Sequence, residues 1–188
     1  IGIPIWFVIG LLVMNSEDNF GPLLGLKDVK NGYALMYSYI GLAVGDLVAG
    51  LLSQLLKSRR KVVMIFLTMT LIVTSLFLFG STQISLGTYY FYCFSLGAST
   101  GYWAIFVTIA AEQFGTNIRS TAANTIPNFV RGSVNLVVLF FTFLVSNNIS
   151  DGFSALIVGL TFIILAFWSI YNLKETFGKD LNYMEESS

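Results

Sequence analysis

The sequence contains no histidine, one cysteine and three prolines, and only 11% of its 188 residues are charged. Without histidine, the chain lacks imidazole proton relays and the commonest protein ligand of transition metals. Cys93 lies inside an apolar run and has no second cysteine with which to form a disulfide, so we expect it to pack in the interior. The net charge is zero, which gives no sign of nucleic-acid binding. We therefore expect no metal, no other cofactor and no nucleic-acid partner.

Hydrophobic residues make up 55% of the chain, and charged residues make up 11%. A soluble domain would carry about 25% charged residues. This composition predicts an all-α, polytopic membrane protein that sits in a lipid bilayer. Its apolar runs open directly at Ile1 with no basic flank, so we expect a fragment that begins inside a helix and carries no secretory signal peptide. We expect a single bundle over 1–188 with six transmembrane helices, at 1–15, 32–56, 62–80, 86–114, 121–146 and 153–173.

The basic residues are distributed unequally between the two sides of the predicted bundle. Lys27 and Lys30 lie on one side, and the larger group lies on the other: Lys57, Arg59, Arg60, Lys61, Arg119, Lys174 and Lys179. By the positive-inside rule, the side with the larger group is cytoplasmic. The tail 174–188 is then cytoplasmic as well. We expect an integral protein of a bacterial inner membrane.

A polar stripe crosses the fifth predicted helix. Asn124, Asn128, Arg131 and Asn135 follow the spacing i, i+4, i+7, i+11, which places their side chains on one helical face. A charged side chain at such depth costs about 2.5–3.5 kcal/mol on translocon scales. The stripe therefore predicts contact with water, a protein partner or a substrate, and Asn128, Arg131 and Asn135 are candidate cavity residues.

The second predicted helix combines a face of small residues with one acid. Ser38, Gly41, Gly45 and Ala49 form a narrow face that lets a neighbouring helix approach closely. Asp46 lies beside this face, at a depth that matches that of Arg131. We expect these two charges to belong to one polar layer, where they either pair directly or contact different partners.

The fourth predicted helix carries hydroxyl and aromatic side chains at the spacing i, i+3, i+7, i+10. These residues are Tyr92, Ser95, Ser99 and Tyr102. Such a stripe suits the binding of a polar organic solute, and it also occurs in ordinary helix packing with interfacial tyrosines. We treat the four residues as candidate substrate-binding or cavity residues.

Three polar segments on the predicted cytoplasmic side carry distinctive spacing, at 50–61, 111–121 and 174–181. The first is similar to the loop motif Gly-x-x-x-Asp-x-x-Gly-Arg-Arg of the major facilitator superfamily, although Gln54 replaces the acid, the second glycine is missing and the basic pair is displaced by one. The second resembles the end of helix ten and the following loop in sugar porters. The third resembles the Glu-Thr-x-Gly tail after helix twelve in sugar and organic-ion porters.

This resemblance covers essentially the whole chain and implies the C-terminal six-helix half of a twelve-helix carrier. It also implies a cytoplasmic charge network that acts as a gate, formed here by Arg59, Arg60, Glu112 and Arg119. Physically, a carboxylate at the membrane boundary can reach guanidinium groups on a neighbouring loop. Solvated charges with little coupling are the alternative reading of the same four residues.

The expected function is secondary transport of a small polar organic solute, such as a sugar or an organic acid, by alternating access. The missing N-terminal half would then be the partner of this chain. The alternative is a self-contained six-helix protein that forms a homo-oligomeric channel or a non-transporting assembly. An enzyme is not expected, because the sequence has no Ser-His-Asp set, no metal-ligand spacing and no phosphate-binding glycine loop.

Overall fold

The computed structural model of the protein describes residues 1–80 and 84–178. Every regular element in these ranges is helical, which confirms the predicted all-α class. Parts of the predicted link 81–85 and of the predicted tail 174–188 lie outside the described residues, at 81–83 and 179–188. The main helices are α1 (Ile3–Val13), α2 (Asn31–Leu56), α3 (Arg59–Phe79), α4 (Leu86–Ser99), α5 (Trp103–Glu112), α6 (Arg119–Gly132), α7 (Val134–Ser146) and α8 (Asp151–Asn172).

Several of these helices, alone or joined end to end, have the length and apolar character needed to cross a membrane. In the described part of the chain there are five such stretches: Asn31–Leu56, Arg59–Phe79, Leu86–Glu112, Arg119–Ser146 and Asp151–Asn172. Their lengths suit a hydrocarbon core of about 30 Å. The first helix, α1, is shorter, and its second part, Phe7–Val13, is wound as a π-helix. The chain thus has the helices of an integral membrane protein, and residues 1–80 and 84–178 contain five of spanning length where the sequence predicts six.

The short helix α1 lies at the centre of the bundle. Phe7, Val8, Leu11 and Leu12 are completely buried, and they share one apolar cluster with side chains of α3, α4, α7 and α8. Helices α6 and α7 lie outermost, and they form the least buried of the five spanning stretches. One face of α6 and α7 is therefore available to lipid, to solvent or to another polypeptide.

Helices α2 and α4 pack in close contact along the predicted face of small residues. Ser38, Gly41, Gly45 and Ala49 are all buried on α2, which confirms that prediction. A Cβ atom at Gly97 of α4 would collide with the carbonyl oxygen of Ser38, and one at Gly45 would collide with the carbonyl oxygen of Ala98. The two backbones approach this closely because glycine has no side chain.

Two predicted helices are interrupted. The predicted helix 86–114 ends as α4 at Ser99 and begins again as α5 at Trp103. In the break, the hydroxyl of Thr100 donates to the carbonyl oxygens of Leu96 and Gly97, at 3.1 and 2.9 Å, and so supplies partners for carbonyl groups at the buried end of α4. The predicted helix 121–146 is likewise divided into α6 and α7, which meet at Ser133. The first break leaves the backbone N–H groups at the start of α5 inside a spanning stretch.

Candidate functional site

Asp46 on α2 lies at the start of α5. Its Oδ1 atom accepts a hydrogen bond from the backbone N–H of Ala104, the second residue of α5, at 3.0 Å. Asp46 is half-buried, and Ala104 is exposed. The N-terminus of a helix carries a partial positive charge and unpaired N–H groups, which together stabilise a carboxylate. The break in the helix therefore supplies the partner that Asp46 needs within the membrane.

Arg131, near the end of α6, lies against two tryptophans. Its Cζ atom is 5.6 Å from the ring centroid of Trp103 and 5.8 Å from that of Trp6. The two indoles are nearly perpendicular, with their centroids 6.1 Å apart. A guanidinium group at this distance from an indole is attracted by the electron-rich face of the ring. The aromatic contacts hold the cation in place, and no acidic side chain of residues 1–80 and 84–178 forms an ion pair with it.

Asp46 and Arg131 do not form the direct ion pair that was one of the two predicted arrangements, although both lie in the described part of the chain. The reason is that the carboxylate of Asp46 is bound to the backbone of α5, while Arg131 lies against the side chain of Trp103. Trp103 thus lies between the two charges. The other predicted arrangement, in which each charge has its own partner, is the one observed.

The three residues lie at comparable depth along their helices. Asp46 is ten positions before Leu56, Trp103 is nine before Glu112, and Arg131 is twelve after Arg119. At the α-helical rise these separations are roughly 15, 14 and 18 Å. We call Asp46, Trp103, Arg131 and Trp6 the central polar cluster.

The asparagines of the predicted stripe lie on the exposed face of α6 and α7. Asn124, Asn128 and Asn135 are all exposed, as is Arg131. The Nδ2 atom of Asn128 donates to the carbonyl oxygen of Asn124 at 3.0 Å. Asn128 also lines an open groove of about 840 Å³ between α6 and Ile3, which includes Val130 and Gly132, the two neighbours of Arg131. The stripe therefore shares one open face with the central polar cluster.

The predicted stripe of hydroxyl groups does not line a common cavity. The ring of Tyr92 packs against Phe77 at 6.0 Å, and the hydroxyl of Ser95 donates to the carbonyl oxygen of Phe91. Ser99 is buried and donates to the carbonyl oxygen of Leu96. The predicted spacing assumed one continuous helix, and the break after Ser99 moves the next member out of register.

Tyr102, the last member of that stripe, is buried between α1 and α3. Its hydroxyl donates to the carbonyl oxygen of Ile1 at 3.0 Å, and its ring packs edge-on against Phe66 at 6.2 Å. These contacts make it a residue of the bundle interior. Among the described residues, the hydroxyl stripe is therefore part of the packing between helices.

Of the predicted gate residues, the structure brings Arg59 and Glu112 together. The Nη2 atom of Arg59 lies 2.7 Å from Oε1 of Glu112, and both side chains are largely buried, at 19% and 10% exposure. The guanidinium of Arg59 also lies over the ring of Phe177, 5.8 Å from its centroid. This ion pair joins the start of α3 to the end of α5.

The other two predicted gate residues bind carbonyl oxygens. Arg60 donates from Nε to Ile170 at 3.1 Å and from Nη2 to Tyr171 at 2.7 Å, at the end of α8. Arg119 donates from Nε and Nη2 to the carbonyl oxygen of Phe114, at 3.2 Å each. A cation at a helix C-terminus satisfies carbonyl groups that have no partner within the helix. Arg60 therefore ties α3 to α8.

Glu175 forms a contact that the sequence analysis missed. Its carboxylate accepts hydrogen bonds from the hydroxyl of Ser58 and from the backbone N–H groups of Arg59 and Arg60, the latter two at 3.0 and 3.4 Å. It thereby caps the N-terminus of α3 from the segment that follows α8. The available signal was Ser58, because serine is a preferred residue at the position just before a helix. We call the contacts of Ser58, Arg59, Arg60, Glu112 and Glu175 the basic-end network.

The protonation of Glu175 is governed by two opposing effects. Partial burial raises the pKa of the carboxyl group, while hydrogen bonds from the hydroxyl of Ser58 and from the backbone N–H groups of Phe177, Arg59 and Arg60 lower it. The hydrogen bonds prevail, so the pKa of Glu175 lies below the ordinary glutamate value. The group is thus an anion at neutral pH, which is the form that caps α3.

Within residues 1–80 and 84–178, no three His, Cys, Asp or Glu side chains gather where they could hold a metal ion. No family model matches the chain, and neither a curated protein nor a solved structure is found to be similar to it. The chemistry of the site must therefore be inferred from its own geometry. That geometry comprises a central polar cluster on an open face and a network of charges at one end of the bundle.

Proposed function

We propose that the chain is the C-terminal six-helix half of a transporter of the major facilitator type, and that it moves a small polar organic solute by alternating access. The observation that carries the proposal is the central polar cluster. Asp46 occupies the N-terminus of an interrupted helix, and Arg131 lies at comparable depth against Trp103, the first residue of that helix. Interrupted helices whose ends hold charges near the membrane midplane are typical of the binding sites of secondary transporters.

Two further features support this proposal. The exposed polar stripe on α6 and α7 needs a partner, because polar side chains within a bilayer face water or protein. The basic-end network provides contacts that can open and close, since it joins α3, α5, α8 and the following segment through charged side chains. With the basic end in the cytoplasm, as the positive-inside rule predicts, the network would close the site on that side.

The direct test is solute uptake into proteoliposomes that contain the native polypeptide, identified first by an antibody against 174–188. A native band of roughly twice 20.8 kDa is expected, because carriers of this type are built from two six-helix repeats. Saturable uptake that is lost in Arg131→Gln, and kept in the charge-matched control Lys27→Gln in an exposed loop, would support transport. A native band at the mass of this chain, without saturable uptake of any solute tested, would contradict the proposal.

A second candidate function follows from the same exposed stripe. A homo-oligomeric channel would place Asn128, Arg131 and Asn135 between copies of the chain. In a Cys93→Ala background, Asn135→Cys would then form disulfide-linked dimers in the membrane. If the chain is half of a carrier, no disulfide-linked dimer is expected through position 135. The control for random collision is Phe153→Cys, at an exposed position on α8.

A further inference from the structure

Arg131 carries a charge for which the described part of the chain supplies no counter-ion. No acidic side chain of residues 1–80 and 84–178 lies within ion-pair distance of it, and no N–H of its guanidinium donates a hydrogen bond to those residues. The two tryptophans attract the cation but cannot neutralise it. An exposed guanidinium group within a spanning stretch needs water, a protein partner or an anion from outside these residues, and an anion with two oxygens can use both its charge and its N–H donors.

Asp46 does not meet this need, because its own charge is already stabilised. Its carboxylate binds the backbone N–H of Ala104 and faces the positive end of α5. The two charges of the central polar cluster are therefore not equivalent: the anion accepts a hydrogen bond, and the cation has no hydrogen-bond or ion-pair partner among the described residues. Arg131 is thus the group of the cluster that can pair with an added anion.

The surroundings of Arg131 also restrict the shape of the anion. A guanidinium group offers parallel N–H donors along its edge, which match the two oxygens of a carboxylate. Trp6 and Trp103 provide flat apolar surfaces next to it. One guanidinium balances one negative charge, so a monocarboxylate pairs fully with Arg131, whereas a phosphate dianion or a dicarboxylate brings a second negative charge that Arg131 does not balance, and a neutral sugar leaves its charge unpaired.

We propose that Arg131 is the carboxylate-binding residue of this protein, and that its substrate class is small monocarboxylates with a planar apolar body. This inference rests on the proposed transport function and names the class of solute. The alternative anion is a carboxylate side chain of another polypeptide segment, which would pair with Arg131 permanently. The two sources differ in whether a free monocarboxylate can reach the guanidinium.

The tryptophans give a direct readout of binding. This chain has three tryptophans, and in the Trp168→Phe background its other two, Trp6 and Trp103, both lie beside Arg131. We would titrate the purified native protein in this background with benzoate and follow its tryptophan emission. Benzamide, which has the same ring and no charge, is the ligand control, and Lys27→Gln is the control for loss of one positive charge.

The expected result is saturable quenching by benzoate and none by benzamide. Arg131→Gln is expected to weaken the apparent affinity on the order of tenfold or more, as for the loss of a charge-assisted hydrogen bond. Arg131→Lys keeps the charge but not the fork of donors, so its apparent affinity for benzoate should lie between those of the unsubstituted protein and Arg131→Gln. It also provides a test if Arg131→Gln is not recovered in folded form.

Quenching that is absent, or equally strong in the Arg131 variants, would overturn the inference. Uptake of radiolabelled benzoate into proteoliposomes separates this failure from a failure of the transport proposal. Transport of neutral solutes without benzoate binding would remove the monocarboxylate class and leave a carrier. Benzoate binding that depends on Arg131, without uptake of any solute, would support the site and contradict transport.

Discussion

At the scale of single residues, Glu175 has the contact with the clearest dependence on pH. Its pKa in the folded protein lies below the ordinary value because four hydrogen bonds favour the carboxylate over the acid. Because the pKa is lower in the folded state, the contact stabilises the folded protein fully above the pKa of the unfolded state, about 4.3. This stabilisation is lost as pH falls through the pKa of the folded state. The cap on α3 should therefore remain intact at neutral pH and open only in strongly acidic solution.

Cysteine labelling can follow this opening. Thr176, next to Glu175, is buried, and Lys174 is exposed. In a Cys93→Ala background, the labelling rate of Thr176→Cys relative to that of Lys174→Cys should stay low from neutral pH to about pH 5. It should rise only well below about 4.3, where the carboxylate with its lowered pKa becomes protonated. Glu175→Gln should show the high ratio at every pH. A ratio that rises already between pH 7 and 5 would contradict the assignment of the pKa shift.

At the scale of helices, the contact between α2 and α4 depends on glycine. Gly97→Ala places a methyl group against the carbonyl oxygen of Ser38, and neither backbone can move without disturbing its own helix. We expect a loss of stability on the order of 1–3 kcal/mol, which is typical of overpacking, and a lower Tm in detergent. The matched control is Gly50→Ala on α2, where nothing lies within 4 Å of the new methyl group.

Gly50→Ala should raise the stability by roughly 0.5–1 kcal/mol, because alanine favours the helix more than glycine does. The two substitutions are chemically identical, and only the surroundings differ. A Gly97→Ala protein as stable as the Gly50→Ala protein would mean that the two helices are not in the close contact described here.

The same helices show which features a sequence can predict. The small-residue face of α2 was visible because its spacing repeats every three or four residues, and the apolar lengths indicated a membrane protein directly. The break after Ser99 was not visible, because no proline marks it and the close contact that accompanies it comes from a different helix. The spacing of the hydroxyl stripe holds only in an unbroken helix, and the break separates Tyr102 from the other three residues.

At the scale of the whole molecule, residues far apart in sequence determine the site. Trp6 and Arg131 lie in different helices, and only packing brings the indole ring to the guanidinium group. Their sequence positions gave the depth of Arg131 but not its neighbours. The matching depth of Asp46 was predictable in the same way, whereas its bond to Ala104 depends on the unpredicted break.

The arrangement at this scale also makes a prediction about energy coupling. Among the described residues, Asp46 is the acidic side chain that lies within a spanning stretch and away from its ends. If proton binding at Asp46 drives uptake, Asp46→Asn should abolish accumulation driven by a pH gradient. The amide oxygen can still accept the hydrogen bond from Ala104, so the fold and the exchange of solute across the membrane should be retained.

Accumulation and exchange can both be measured on one preparation of proteoliposomes. Accumulation is followed with an inward proton gradient, and exchange is followed with labelled solute outside and unlabelled solute inside. Asp28→Asn, which removes an exposed acid from a loop, is the charge-matched control and should leave both unchanged. Loss of accumulation with intact exchange would assign proton coupling to the carboxylate at the start of α5. Unaltered accumulation in Asp46→Asn would reject that role and leave Asp46 as a structural cap of the broken helix.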